Sequence, residues 1–397
     1  MNTDSGFACR GSDCMFCKVK EELQWQPKQR PDLKIRSIAL NIIERCNMRC
    51  HYCFAGKGDY GFDSSMSMET AIRAVDFFTQ DQDDLHIVFF GGEPLLRFRL
   101  IYDLVHWCIR EKSDKRFTFA LTTNGLLMDQ EKLDFFVQHR FSLRWSWDGP
   151  LLQGRQRQLH GTKKQSSAAS DVIGSKIRRL SKGLSELRSF CLRATLDHNS
   201  LSLAIENILN MICSTDFRVA WSRVSSSDSQ LRFSGEDIEQ YCHVFEGVVS
   251  ALLKEKDYPS LLRIRSLQTY VRVFHSGSYH RNFCGAGLEY LSVSTRGRFY
   301  LCHRFTEDEE ESLGSLEDGF DMKKIKAISR HRMMEDEPCQ SCWMREICAG
   351  GCFHEHKMGT GHIMTIDPFF CQIQDTEMRQ ALRVYLEMTV HAPELLE

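Results

Sequence analysis

Between Arg36 and about Arg223, short β-rich apolar runs alternate with longer stretches of helical periodicity, and this rhythm constrains the chain more than anything else in it. Such alternation is what a parallel sheet built from βα units requires. Six runs read as strands: Arg36 to Glu44, Leu85 to Phe90, Arg116 to Thr122, Phe141 to Trp147, Ser189 to Leu196 and Phe217 to Arg223. Each is apolar enough to be covered on both faces, as parallel strands are. Helices fill the gaps. Ser67 reads as an N-cap, with Glu69 in the first turn ahead of a stripe through Ile72, Val75 and Phe78. Six units do not close an eight-stranded barrel, so the expected fold is α/β, a partial (β/α)6 TIM barrel with its reactive face at the strand C-termini.

The 397 residues divide by texture into four stretches. Residues 1–35 form a polar extension carrying Cys9, Cys14 and Cys17, and residues 36–234 hold the barrel pattern. Residues 235–283 are helical and read as a bridge, and 284–397 are Cys-rich, Gly-rich and irregular, ending in an amphipathic helix from about Gln374 to Thr389. Gly154 to Ser170 is basic and reads as an exposed loop. Lys and Arg number 51 against 53 Asp and Glu, so no nucleic-acid or anionic-membrane partner is advertised. The start of the chain lacks an apolar signal core, and no uninterrupted apolar run reaches membrane-spanning length; the expected location is cytoplasmic.

Cysteine is the anomaly. The 17 cysteines, an odd number, stand mostly in short-spaced clusters rather than as a framework of pairs, which favours metal ligation over disulfides. Directly after the first strand comes Cys46-x3-Cys50-x2-Cys53. Zinc normally wants four protein ligands, and no fourth ligand closes this trio. Three thiolates on an iron-sulfur cubane leave one iron open, which is useful where something must bind that iron.

Here the chain resembles the radical S-adenosylmethionine (SAM) enzymes, from about Arg36 to its C-terminus. The resemblance implies a 4Fe-4S cluster on Cys46, Cys50 and Cys53 whose open iron chelates SAM, and a 5'-deoxyadenosyl radical that takes a hydrogen from a substrate. Further motifs carry it. Gly91-Gly92-Glu93-Pro94 after the second strand matches the GGEP motif, which faces the amino group of SAM. Thr122 and Asn124 close the third strand and Ser146 and Asp148 the fourth, at positions near the ribose and carboxylate. Arg193, with Thr195, resembles the basic position that meets the SAM carboxylate, and a cation there would neutralise it in a site that excludes water. Tyr52 matches an aromatic position near the adenine. Each of these has an ordinary reading, a Gly-Gly turn, an Asn-Gly or Asp-Gly turn, or a core aromatic; their order at successive strand ends is what counts.

The later cysteines, Cys284-x12-Gly297-x4-Cys302, Cys339-x2-Cys342-x5-Cys348-x3-Cys352 and Cys371, resemble the SPASM extension of peptide maturases. That resemblance implies two auxiliary 4Fe-4S clusters, so three in all: one on Cys284, Cys302 and Cys352, the other on Cys339, Cys342, Cys348 and Cys371. Seven thiols for two cubanes leave one iron for a substrate cysteine, water, His303 or a spare thiol. The text around Cys284 and Cys302 looks like that of thioether-forming maturases of ribosomally made peptides. Sulfatase maturases place an Asp directly after the matching Cys, where this chain has His303, expected beside a cluster rather than on it. Two departures stand out: after Asp148-Gly-Pro the family continues with a His-Asp pair and an Arg, whereas this chain reads Leu151-Leu-Gln-Gly-Arg155, and the extension before the first strand is too short for a winged-helix leader-binding domain.

The function expected is a peptide or protein maturase that installs a cross-link, a Cys thioether. The alternatives are a sulfatase-maturase-like side-chain dehydrogenase, a C–C or ether cross-linking maturase and, outside enzymes, a zinc-stabilised scaffold. Its expected partners are a peptide substrate, a low-potential electron donor of flavodoxin or ferredoxin type and, for leader recognition, a separate protein or the barrel mouth. Cys9, Cys14 and Cys17 have no counterpart in the resemblance. Cys108, Cys191, Cys213 and Cys242 read as small buried apolar residues, and His354 and His356 as surface groups or neighbours of a cluster ligand.

Overall fold

The computed structural model describes residues 34–397 apart from 57, 160–165, 227, 278–282 and 331–336. Cys9, Cys14 and Cys17 lie outside the described residues. Among the described residues eight strands precede residue 224: β1 (Ser37–Ile43), β2 (Met48–Cys50), β3 (Asp84–Gly91), β4 (Arg116–Thr123), β5 (Ser142–Ser146), β6 (Arg157–Leu159), β7 (Ser189–Leu196) and β8 (Arg218–Arg223). Six of them, β1, β3, β4, β5, β7 and β8, stand side by side in chain order, every pair parallel. These are the six strands expected, and the covering helices are where the apolar periodicity put them. The helix Met68–Thr79 is capped by Ser67, whose Oγ accepts from the Thr70 N–H at 3.0 Å.

The Cys-rich region continues this sheet. Strand β9 (Tyr290–Val293) lies parallel to β1, with Ser37 opposite Tyr290 and Leu40 opposite Val293. Antiparallel β10 (Arg298–Tyr300), β11 (Ser312–Ser315) and β12 (Gly319–Phe320) follow, so one sheet of ten strands runs from β12 to β8. An aromatic cluster seals this edge. Phe299 of β10 meets Phe77 at 5.1 Å, Phe78 at 5.4 Å and Phe320 at 5.1 Å between ring centroids, in edge-on and tilted arrangements.

Two expectations change. The stretch from Gly154 is not an exposed loop at its start: Gln153–Gln156 is helical, β6 pairs antiparallel with β2, and Gln153, Gln156 and Arg157 are buried. Its polar composition had hidden a role in holding β2. The last helix spans Pro368–His391 rather than starting near Gln374, because Asp367 caps it and Pro368 occupies its first position; it therefore takes in Cys371. It packs on the bridge helices Gly235–Lys254 and Arg265–Ser276. Among the described residues no helix is long and apolar enough to cross a membrane.

Because Phe299 is fully buried between the first barrel helix and the added strands, Phe299→Ala should cost about 3–5 kcal/mol. A shared sheet should also unfold in one transition. Calorimetry of anaerobically prepared protein checks this, and two separate transitions, or a loss under 1 kcal/mol, would contradict a common core.

Candidate active site

The end of β1 and the end of β3 are pressed together backbone to backbone. Gly92 donates its N–H to Ile43 O at 2.8 Å, and Glu93 to Arg45 O at 2.9 Å. A Cβ on Gly91, whose φ is +138°, would stand 2.3 Å from Ile43 O, and one on Gly92 2.3 Å from Arg45 O. Only glycines permit this approach, and it fixes the loop that carries Cys46. Glu93, 1% exposed, then accepts from Leu95 N (3.0 Å), Thr123 Oγ1 (2.7 Å) and Asn124 N (2.8 Å). Burial holds its pKa above the ordinary carboxylate value, against those three donors. Asn124 in turn donates to Asn47 Oδ1 at 2.8 Å and points its Nδ2 at Cys46 Sγ, 3.7 Å away.

These elements wall a cleft at the strand C-termini enclosing about 1170 Å³ of space, its open mouth included. Cys46, Cys50, Cys53, Tyr52, Gly91, Gly92, Glu93, Thr122, Asn124, Ser146, Arg193 and Thr195 all line it, as do His303 and Arg304 from the Cys-rich region. Pro94 and Asp148 do not. Pro94 is buried at the first position of a short 3-10 turn, Pro94–Arg97.

Asp148 differs from its expected place beside SAM. It is fully buried, and its two oxygens accept from Tyr52 Oη at 2.5 Å, Arg157 Nε and Nη2 at 2.9 and 3.0 Å, and Thr195 N at 2.9 Å. It holds the cavity wall together from behind. Arg157 escaped the sequence reading. Opposite Cys50 in the β2–β6 pair, it points Nη1 at Cys50 Sγ, 3.7 Å away, and lies over the Tyr52 ring. The signal was present, since a basic residue follows Asp148-Gly-Pro in the resembled family, but here it sits on a short strand instead of at the expected spacing. His51 braces the same loop, with Nε2 at 2.8 Å from Asp197 Oδ2 and Nδ1 at 3.2 Å from Gln156 O.

The described cysteines form no disulfide, and ten of them fall into three sets. Burial pushes Cys46 up to about 12, with Glu93, Cys50 and Cys53 adding repulsion, and Cys50 up to about 11. Cys302, pushed up to about 12 by burial, feels Cys284, and Cys352 feels both. Cys348, pushed up to about 12 by burial, feels Cys371, Cys339 and Cys342. Among the described residues no group of three or more His, Cys, Asp or Glu is gathered as a site for a metal ion. A cationic group bound to thiols that burial raises, such as Cys46, Cys302 and Cys348, would stabilise their thiolates, which fits iron. Of the other cysteines, Cys108, Cys191 and Cys242 are buried as expected, whereas Cys213 is exposed because it ends the helix Leu201–Cys213.

Buried polar groups join the Cys-rich region to the barrel. His356 and His354 are buried rather than on the surface. His356 Nε2 bonds Gly350 O at 2.8 Å while its Nδ1 accepts from Asp367 N at 3.0 Å, tying the Cys348–Cys352 loop to the start of the Cys371 helix. Glu355 pairs with Arg223 of β8 at 2.9 Å and Arg304 at 2.7 Å. Those cations, against burial, bring Glu355 down to about 2. His303 shares a 2.7 Å hydrogen bond between Nδ1 and Tyr290 Oη. Burial first, then Arg304, Arg193 and Arg144, hold its pKa well below the usual histidine value.

Comparison with known proteins agrees with this geometry. Residues 40–144 match the model of the Radical SAM superfamily, so the chain carries a radical SAM domain. An uncharacterized protein of Methanocaldococcus jannaschii is 32% identical over 97 residues, covering 24% of this chain and 33% of its own. A GTP 3',8-cyclase of Xanthomonas axonopodis is 35% identical over 105 residues, covering 24% of this chain and 29% of its own. The chain thus spans about a third of the length of these relatives. An uncharacterized protein of Archaeoglobus fulgidus is similar over 88% of this chain and 81% of its own, at 22% identity. Among solved structures, anSMEcpe with bound AdoMet superposes with a TM-score of 0.72 at 16% identity, over 89% of this chain and 94% of that one. Streptococcus suis SuiB bound to its precursor peptide SuiA gives 0.55 at 15% identity, over 84% and 74%. The fold is shared with both.

Arg157→Met should leave the Asp148 charge buried and unpaired, at about 3–5 kcal/mol, and adding Asp148→Asn should restore part of it. Equal stability of wild type and Arg157→Met in denaturant titration would contradict this pairing. For Glu355 the sign is that of a depressed carboxylate: its stabilisation is full above its ordinary value near 4.5 and fades as pH falls toward 2. Glu355→Gln should therefore lose about 3 kcal/mol near pH 7, a gap that narrows below pH 4.5. Parallel unfolding curves at both pH values would refute it.

Proposed function

We propose that this radical SAM protein is a peptide maturase that installs a cross-link, a Cys thioether, in a ribosomally synthesised peptide. The observation that carries the reading is the meeting of two regions on one cavity: the Cys46, Cys50, Cys53 set with the Gly91–Glu93 turn on one side, and His303 and Arg304, adjoining Cys302, on the other. Cys46, Cys50 and Cys53 would hold the 4Fe-4S cluster that binds SAM, Cys284, Cys302 and Cys352 one auxiliary cluster, and Cys339, Cys342, Cys348 and Cys371 a second. When bound, the first cluster and SAM together supply the 5'-deoxyadenosyl radical that takes a hydrogen from the substrate. In this reading the Glu93 carboxylate faces the amino group of SAM, Arg193 its carboxylate, and Tyr52, Thr122, Asn124 and Ser146 its nucleoside. A flavodoxin or ferredoxin would supply electrons in the cytoplasm. The solved neighbours were captured with peptides, anSMEcpe with Cp18Cys peptide and SuiB with SuiA, which supports a peptide substrate. The cyclase relatives align over only 24% of this chain, too little to bear on the substrate.

The thioether is favoured over side-chain dehydrogenation by the bases available. Among the described residues Glu93 is the one carboxylate on the cavity, and three donors occupy it. His303 is surrounded by cations that oppose its protonation. An alcohol would find a poor base here. A cysteine, ordinarily near 8.5, ionises far more readily than an alcohol.

Replacing Cys46, Cys50 and Cys53 together by Ala should abolish 5'-deoxyadenosine formation while the other two sets keep their iron. Deoxyadenosine from that variant would refute the cluster assignment. With a Cys-rich peptide from a neighbouring reading frame, SAM and reductant, the product should be lighter by two hydrogens and have one cysteine that resists alkylation. A product two hydrogens lighter in which every cysteine still alkylates would instead favour the dehydrogenase or carbon–carbon reading.

A further inference from the structure

The charges facing the cavity do not balance. Five arginines line it, Arg144, Arg157, Arg193, Arg223 and Arg304, against the single carboxylate of Glu93. Three of the five are answered from behind the wall, Arg157 by Asp148, and Arg223 and Arg304 by Glu355. Two are not. The Arg193 guanidinium has one hydrogen bond to a described residue, to Ser222 Oγ at 3.3 Å. The Arg144 guanidinium has no hydrogen bond or ion pair with any described residue, although the backbone of Arg144 is paired on both sides in the sheet.

These two share a face. Arg144 stands opposite Cys191 and Ser146 opposite Arg193 in the β5–β7 register, so Arg144 and Arg193 are diagonal neighbours pointing into the barrel, with Arg144 one pleat deeper. Arg144 is exposed where it lines the cavity. Burial lowers its pKa, and nearby Arg265 lowers it further; Arg193 is brought down to about 10 by burial, then by Arg304 and Arg144. Two neighbouring cations on one cavity wall, neither paired with a carboxylate of the described residues, favour ligands that bring anions to them.

Under the function proposed above, SAM brings one carboxylate, and Arg193 is the residue expected to meet it. One guanidinium is left over. We infer that Arg144 is a specificity-determining residue that takes a carboxylate of the peptide substrate, seating an acidic group of the peptide one pleat below SAM. A guanidinium can hold a carboxylate through two parallel hydrogen bonds, which fixes orientation as well as position. An acidic side chain and a peptide C-terminus would both present this group. The inference rests on the SAM-binding reading of the cavity, and its test separates the two.

Anaerobic protein saturated with SAM is titrated calorimetrically with N-acetyl-glutamyl amide, which offers a side-chain carboxylate, with N-acetyl-alanine, which offers a terminal one, and with N-acetyl-glutaminyl amide, which offers neither. At least one of the first two should bind about tenfold tighter than the third, and which one does so identifies the source. Arg144→Gln should remove that preference and leave SAM affinity within about twofold, and Arg144→Lys, which keeps the charge without the fork, should restore part of it. Equal binding of all three probes to the wild type, or a preference unchanged in Arg144→Gln, overturns the inference. So does Arg144→Gln weakening SAM instead, which would assign Arg144 to the cosubstrate. Failure of the wild type to bind SAM at all would refute the underlying reading of the cavity.

Discussion

The contact on which the site depends is the seating of Gly91 and Gly92 against the carbonyls of Ile43 and Arg45. Neither glycine can carry a side chain there without displacing the backbone opposite. Because they do not, the loop after β1 and the turn after β3 move as one piece, and everything placed by either is placed relative to the other. Cys46, Glu93 and Asn124 are joined through this contact and its hydrogen bonds. A second clamp, β2 against β6, does the same for Cys50 from the other side, with Arg157 and Asp148 closing the back of the wall.

Electrostatics gives the cavity its character. Carboxylates are kept behind the lining, where Asp148 and Glu355 answer Arg157, Arg223 and Arg304, so the face presented to ligands is cationic. Such a surface opposes protonation of His303 and favours ligands that bring carboxylates. Continuity of β9 with β1 brings the Cys-rich region to the same cavity, because the turn after β10 carries Cys302, His303 and Arg304.

Much of this was legible in the sequence because it rests on local pattern. Strand periodicity predicted the six parallel strands, and short spacing marks the set of Cys46, Cys50 and Cys53, since residues a few positions apart on a loop stay close however the chain folds; the division of the later cysteines, with Cys352 far from Cys284 and Cys302 in sequence, came from the resemblance alone. What escaped depends on partners remote in sequence. Asp148 looked like a ligand-facing turn residue, but its partners Tyr52, Arg157 and Thr195 are 96, 9 and 47 positions away. Arg157 lay in a stretch whose polarity suggested solvent, and only its pairing with β2 buries it. Arg144 gave no signal, because a lone arginine in an apolar strand reads as an edge or a surface residue until the cavity that receives it is formed.

The central claim is that the Cys46, Cys50, Cys53 set holds an iron-sulfur cluster with a site open to SAM. Electron paramagnetic resonance of the anaerobically reduced protein, recorded before and after adding SAM, tests this most directly. The account predicts that SAM changes the spectrum of one cluster and leaves the signals of the others as they were. Spectra that are identical with and without bound SAM would contradict it.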